Sequence, residues 1–149
     1  MTREDSFFLL ALNRAIHDKA PKIENSDDGV SVVNVLELAG EHDVLPLICH
    51  SFTNFSGFLS LPPDDRKAWR ERSIQGFTRQ TTQSTEFLTL ILHAQAQGLD
   101  PVVLKGIVCR QLYPIPSLRP SVDEDLLIDP KDVERFHAFF LSEGLVPDD

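Results

Sequence analysis

Cysteine is scarce in this chain of 149 residues, which contains only Cys49 and Cys109. Both stand in apolar surroundings and far apart in the sequence, so we expect free, buried thiols in a reducing compartment. The five histidines show no ligand spacing, and no Cys-x-x-Cys or His-x-x-x-His pair completes a site around Cys49 and His50. A structural zinc site is therefore not expected.

Basic residues are also few. Fourteen Lys and Arg stand against 23 Asp and Glu, which gives a formal net charge of −9 and a pI of about 4.9. The clearest basic cluster lies within residues 66–72, but acids interleave it, as is typical of a solvated helix face. Because a nucleic-acid surface needs a net excess of positive charge, we predict that the protein does not bind duplex nucleic acid.

Long apolar runs and glycine-rich motifs are missing. The apolar stretch Phe7–Leu12 is too short for a signal sequence or a membrane span. No P-loop, Gly-x-Gly-x-x-Gly or Gly-x-Ser-x-Gly motif occurs. We expect a soluble, cytoplasmic protein that does not contact a membrane.

Helical periodicity dominates the chain before Gly98. Thr2 and Asp5 form the pattern of a capping box, which predicts a first helix to about His17. The polar stretch Lys19–Gly29 predicts a loop. Pro46 fits the first turn of a helix that continues to about Phe55. Residues 64–97 predict one long helix, which Gly98 ends. The alternative is two helices with a break, because the stretch Thr78–Thr85 is polar and weak in helix propensity.

Short apolar runs replace this periodicity after Gly98. Val102–Lys105 and Val122–Ile128 predict two strands of one sheet. The predicted fold class is α+β, with a mostly helical part (residues 1–98) packed on a small mixed β-sheet (residues 99–149). We expect the two parts to form one compact unit.

Asp123 and Asp125 open the second predicted strand. Side chains alternate along a strand, so both aspartates share one side, and Leu127 should continue that side into the core. Glu124 should face solvent on the opposite side. Two carboxylates so close repel unless a cation lies between them, and Mg²⁺ (or Mn²⁺) accepts a few carboxylates together with substrate phosphates. The alternative is a polar edge strand whose acids only face water.

Lys105 and Gly106 form a second feature, about 20 residues upstream. They stand between a short apolar run and a predicted helical turn, a layout that directs backbone N–H groups at an anion. Lys105 adds a mobile positive charge that suits phosphate. The alternatives are a lysine that extends from a strand end into water and a glycine that serves only the turn.

Together these residues resemble the core of the DNA polymerase β-like nucleotidyltransferase superfamily, in an uncharacterised bacterial branch. The branch carries Leu-Lys-Gly, Tyr-Pro, an arginine and Asp-x-Asp. These motifs match Leu104–Gly106, Tyr113-Pro114, Arg119 and the pair Asp123 and Asp125. The resemblance extends from about residue 35 to residue 144, and Glu124 departs from it because the family usually has an apolar residue there.

The resemblance implies transfer of a nucleoside monophosphate from an NTP to a hydroxyl of a small molecule or a protein. Asp123 and Asp125 would be the catalytic residues and the Mg²⁺ ligands. Lys105, Gly106 and Arg119 would bind substrate, although Arg119 could instead anchor the proline-rich loop around it.

A third carboxylate is the part of the family pattern that the sequence does not supply clearly. The superfamily takes it from a later strand. The sequence predicts a last helix over residues 130–143 and a further strand that begins at Leu145 and Val146, and the only acids beyond this helix are Asp148 and Asp149. The alternative function is therefore an inactive or truncated nucleotidyltransferase-like domain that serves as a nucleotide-binding, regulatory or protein-interaction module. An unpaired sheet edge near residues 102–105 or 122–128 would favour a homo-oligomer.

Overall fold

The computed structural model describes residues 2–19 and 29–146 of the chain. Its helices are α1 (Arg3–Ile16), α2 (Val32–Glu41), α3 (Leu45–Ser51), α4 (Ser56–Leu59), α5 (Pro63–Ala96), α6 (Ile107–Arg110) and α7 (Val133–Ser142), and its strands are β1 (Val102–Val103) and β2 (Leu126–Leu127). The prediction of an α+β fold is confirmed, since helices dominate and the two described strands pair in one sheet. None of the helices in the described ranges combines the length and apolar character that a membrane span requires.

The chain divides into two compact units, of which the first contains Met1–Gln80 and Arg110–Pro120. The Thr2 and Asp5 capping box starts α1 as predicted, with Asp5 N–H donating to Thr2 Oγ1 at 3.1 Å and Thr2 N–H to Asp5 Oδ2 at 2.7 Å. Ser31 caps α2 in a similar way, by accepting from the N–H of Asn34. Helices α1, α2 and α3 pack against one another.

An aromatic cluster fills the core of the first unit. The ring centre of Phe52 lies 5.0 Å from that of Phe55, and the ring centre of Phe7 lies 5.8 Å from that of Phe55. Phe52 is completely buried, as is most of Phe58. Burial of rings of this size removes much apolar surface from water, so this cluster is the main source of the unit's stability.

Helix α5 is one continuous helix, as predicted, although its middle is polar. It ends just before Gly98, whose φ of +72° is the left-handed conformation that glycine adopts most easily. The sequence did not predict α4, because this four-residue helix has no side-chain cap and no room for a periodic apolar pattern.

The second unit contains Thr81–Cys109 and Ser121–Asp149. In its sheet β1 and β2 run antiparallel, with Val102 opposite Leu127 and Val103 opposite Leu126. Its buried cluster is small. The members are Ala94, Leu99, Phe136 and Phe139.

The structure tests several expectations from the sequence, with different outcomes. The paired strands are shorter than predicted, and Leu145 and Val146, expected to begin a further strand, are not in one. Most of the predicted loop at residues 19–29 lies outside the described residues. Both sides of the expected boundary at residues 98 and 99 belong to the second unit. The division into a helical region (residues 1–98) and a nucleotidyltransferase core (residues 99–149) stays a prediction.

Candidate functional site

The acidic segment and the Lys-Gly segment lie next to each other in the second unit. The N–H of Leu104 donates to the backbone oxygen of Asp125 at 2.9 Å, which extends the pairing of β1 and β2 by one further hydrogen bond. Lys105 and Gly106 follow at once, and α6 begins at Ile107. Sheet pairing therefore brings together two segments that are about 20 residues apart in the sequence.

Exposure varies along the segment that carries the acids. Asp123, which precedes β2, is exposed, Asp125 is half-buried, and Leu127 in β2 is 58% exposed. Leu126 lines an apolar cavity of about 390 Å³, and Ile128 packs against the buried cluster of the second unit. The prediction that Leu127 continues the side of the aspartates into the core is therefore wrong.

Helix α7 explains why Leu127 stays exposed while its neighbours are covered. This helix supplies Phe136 and Phe139 to the buried cluster, and Phe140 lines the apolar cavity beside Leu126. Alternation in a sequence defines the two sides of a strand, but it does not show which side a later helix will cover.

Lys105 forms an ion pair with one of the two aspartates. Its Nζ lies 2.5 Å from Asp125 Oδ2. The pKa of Lys105 is raised, first by the hydrogen bond to Asp125, then by the charge of Asp125 and, more weakly, by the charge of Asp123. The ammonium group therefore offsets part of the negative charge of the acidic segment, chiefly at Asp125.

Glu124 is not the solvent-facing residue that we expected. Its side chain is half-buried, and its Oε2 accepts the N–H of Ile107 at 2.6 Å. Ile107 is the first residue of α6, so the anion at this helix start is a carboxylate of the protein itself. The only signal for this role in the sequence was the departure of Glu124 from the usual apolar residue of the family.

The contact of Glu124 with the N–H of Ile107 requires a glycine at position 106. The φ of Gly106 is +63°, which is unfavourable for residues with a side chain. A Cβ atom at this position would overlap the carboxylate of Glu124 and would lie 2.8 Å from the backbone oxygen of Asp123. Gly106 thus allows the loop after β1 to approach the acidic segment closely.

Arg119 belongs to the first unit, unlike the other predicted site residues. Its guanidinium carbon lies 5.5 Å from the ring centre of Tyr113, and both residues are half-buried. This contact within the proline-rich loop agrees with the loop-anchoring alternative. A contact of Arg119 with substrate stays a prediction.

A comparison with models of protein families shows which family the chain belongs to. Residues 28–149 match the model of a family described as uncharacterised nucleotidyltransferase. The chain belongs to this family. The match includes the Lys-Gly loop, Arg119 and both aspartates, and it supports nucleotidyltransferase activity in general. Neither the curated proteins nor the solved structures gave a match.

The metal-binding capacity of the candidate site is limited. Over residues 2–19 and 29–146, the structure brings no three Asp, Glu, His or Cys side chains together as a metal site. Asp148 and Asp149 lie outside these ranges. Two accessible carboxylates do not form a protein-only metal site, but they suit Mg²⁺, which keeps water ligands and binds substrate phosphates. The residues present therefore fit a metal ion that binds together with a nucleotide.

Proposed function

We propose that the protein is a Mg²⁺-dependent nucleotidyltransferase of the DNA polymerase β-like type, which transfers a nucleoside monophosphate from an NTP to a hydroxyl group of a small molecule or a protein. One observation carries the proposal. In a chain of this family, Asp123 and Asp125 lie just before β2 and keep contact with solvent, and Lys105 pairs with Asp125.

Each residue has a defined role in this proposal. Asp123 and Asp125 hold Mg²⁺ (or Mn²⁺), which when bound neutralises charge on the phosphate oxygens. Lys105 would donate to a phosphate oxygen in place of Asp125, because an ammonium group on a flexible stem can exchange one anion for another. Glu124 holds the loop of Lys105 and Gly106 against the acidic segment through the N–H of Ile107.

The reaction is an in-line displacement. The acceptor hydroxyl oxygen forms a bond to the α-phosphorus, and the bond from this phosphorus to the oxygen bridging the α- and β-phosphates breaks. Pyrophosphate leaves, and the hydroxyl proton passes to a carboxylate or to solvent. Lys105 stabilises the charge that accumulates on the phosphate oxygens.

Radiolabelled nucleotides test this proposal. We expect label from the α-phosphate of an NTP, and not from the γ-phosphate, to enter an acceptor in a cell extract when Mg²⁺ is present. Asp123→Asn and Asp125→Asn should each abolish the transfer. Asp100→Asn is the matched control, because it removes one exposed carboxylate from the same unit outside the site. Transfer that survives both site substitutions would contradict the proposal.

The second candidate function is a nucleotide-binding or regulatory module without transferase activity. The observation that favours it is that no third carboxylate joins Asp123 and Asp125 within the described residues. Calorimetry with Mg²⁺ and a non-hydrolysable NTP separates the two candidates. Nucleotide binding that requires Asp123, without label transfer to any acceptor, would support the module.

A further inference from the structure

A polar cavity of about 270 Å³ lies wholly within the first unit. One face of α5 forms a wall of it, with Arg72, Gln75 and Arg79 at helical spacing. Asp43, after the end of α2, and Ser117, in the proline-rich loop, lie on the other walls. The cavity thus collects side chains from distant parts of the sequence, and it shares no residue with the proposed transfer site.

The charge of this cavity is opposite to that of the chain. Two guanidinium groups face a single carboxylate, whereas the chain as a whole has a formal net charge of −9. Arg79 Nη2 lies 3.5 Å from Asp43 Oδ1, so one guanidinium already binds an anion. No carboxylate among the described residues pairs with Arg72. The cavity therefore has one positive charge in excess.

Arg72 is held in place by its neighbours. Its guanidinium carbon lies 4.5 Å from the ring centre of Trp69, which is buried one helical turn earlier. Stacking uses the flat face of the guanidinium and leaves its N–H groups free to donate in the plane. A Cβ atom at Gly40 would lie 3.3 Å from Arg72 Nη2, so the missing side chain leaves room for the guanidinium at the cavity wall.

We propose that this cavity is a binding site for a small molecule that carries a phosphate group, with Arg72 and Arg79 as its anion ligands. A phosphate monoester carries nearly two negative charges at neutral pH, so it can bind Arg72 and also displace Asp43 from Arg79, whereas a carboxylate balances only the one charge in excess. Gln75 and Ser117 supply further hydrogen-bonding groups. Asp43 competes with the ligand for Arg79. The inference does not depend on nucleotidyl transfer.

Titration with inorganic phosphate at constant ionic strength, without Mg²⁺ or nucleotide, tests the inference. Trp69 is the only tryptophan, so its fluorescence reports directly on the stacked Arg72. We expect a saturable change in the wild type and an affinity that is at least about tenfold lower in Arg79→Gln. Arg72→Gln also alters the reporter, so its affinity is measured by calorimetry, with the same expected loss.

Two further variants sharpen the test. Asp43→Asn should raise the affinity several-fold, because it releases Arg79, and asparagine tolerates the positive φ of 56° at this position. Arg70→Gln is the matched control, because it removes the same charge from the same helix, at a side chain that lies over Phe58 outside the cavity. Equal weakening by Arg70→Gln and Arg79→Gln, or no saturable binding, would overturn the proposal. Asp123→Asn should leave phosphate binding unchanged, so this test is independent of the transfer site.

Discussion

The two units differ in how well they bury their apolar side chains. The first has a large core that includes Phe7, Phe52 and Phe58, all nearly inaccessible to solvent. The second has only four residues in its buried cluster, and it leaves Val122 and Val146 at least 80% exposed. The site residues Lys105, Asp123 and Asp125 belong to the second unit. The larger core and the proposed site therefore lie in different units, and a weakly packed unit is the one in which segments move most easily.

Core truncation is expected to have the largest effect on this comparison. Phe52→Ala should lower the free energy of unfolding by about 3–5 kcal/mol, because it leaves a cavity in a completely buried aromatic cluster. Phe136→Ala is the matched change in the second unit. We expect it to remove hydrogen-exchange protection from α7 while α1–α3 stay protected. Equal loss of protection in both units after Phe136→Ala would show that they unfold together.

Thiol chemistry provides a second comparison. Burial raises the pKa of Cys49 to about 11, whereas Cys109, in the second unit, is only half-buried. Since the thiolate is the reactive form, a disulfide reagent near neutral pH should label Cys109 in the folded protein and Cys49 only after unfolding. Mass spectrometry of the labelled peptides checks this expectation. Faster labelling of Cys49 than of Cys109 would contradict the difference in packing.

The raised pKa of Cys49 predicts that the folded protein loses stability at alkaline pH. Folded Cys49 keeps its proton to a higher pH than the unfolded chain, whose thiol has an ordinary pKa of 9.0. The stabilisation is fully present below pH 9.0 and is lost as pH rises towards about 11, by up to about 3 kcal/mol. Urea unfolding of Cys49→Ala should show a flatter profile over this range. An identical profile for the wild type and Cys49→Ala would contradict the assignment.

Substitution of glycine tests the close approach of the Lys-Gly loop to the acidic segment. Gly106 and Gly144 both have positive φ, but a Cβ atom at Gly144 meets nothing within 4 Å. Gly144→Ala should therefore cost only the backbone strain of about 1 kcal/mol, whereas Gly106→Ala should cost at least about 2–3 kcal/mol because it also displaces Glu124. Denaturant unfolding measures both. Equal costs would show that the loop does not depend on the contact with Glu124.

The smallest expected effect on stability belongs to Lys105. Its ion pair with Asp125 is largely exposed, and exposed pairs contribute little to folding. Lys105→Met should therefore leave the Tm almost unchanged while it abolishes nucleotide transfer. A large fall in Tm, with activity retained, would identify Lys105 as a structural residue.

Local signals predicted much of this architecture from the sequence. Thr2 and Asp5 start α1, and Gly98 follows the end of α5, because caps and glycine conformations depend on neighbours within one turn. The sequence also predicted, from two apolar runs, that the segments containing Val102–Val103 and Leu126–Leu127 form strands of one sheet.

The remaining features depend on contacts between distant residues. The role of Glu124 follows from the position of Ile107, and the exposure of Leu127 follows from the side that α7 covers. The cavity beside Arg72 likewise combines α5 with segments that are distant in the sequence. No local pattern encodes which of two strand sides will be buried, so the sequence alone could not predict these features.

Paramagnetic broadening by Mn²⁺ tests the central claim most directly, because Mn²⁺ accepts the oxygen ligands that Mg²⁺ prefers. Isotope-labelled protein would be titrated with small amounts of Mn²⁺ and a non-hydrolysable NTP, and the amide signals would be followed by NMR. We predict that signals of residues 104–107 and 123–126 broaden first, that signals of α1–α3 do not, and that Asp123→Asn removes the effect. Equal broadening near Glu37 and Glu41 of α2, or an unchanged pattern in Asp123→Asn, would contradict a metal-dependent site at the two aspartates.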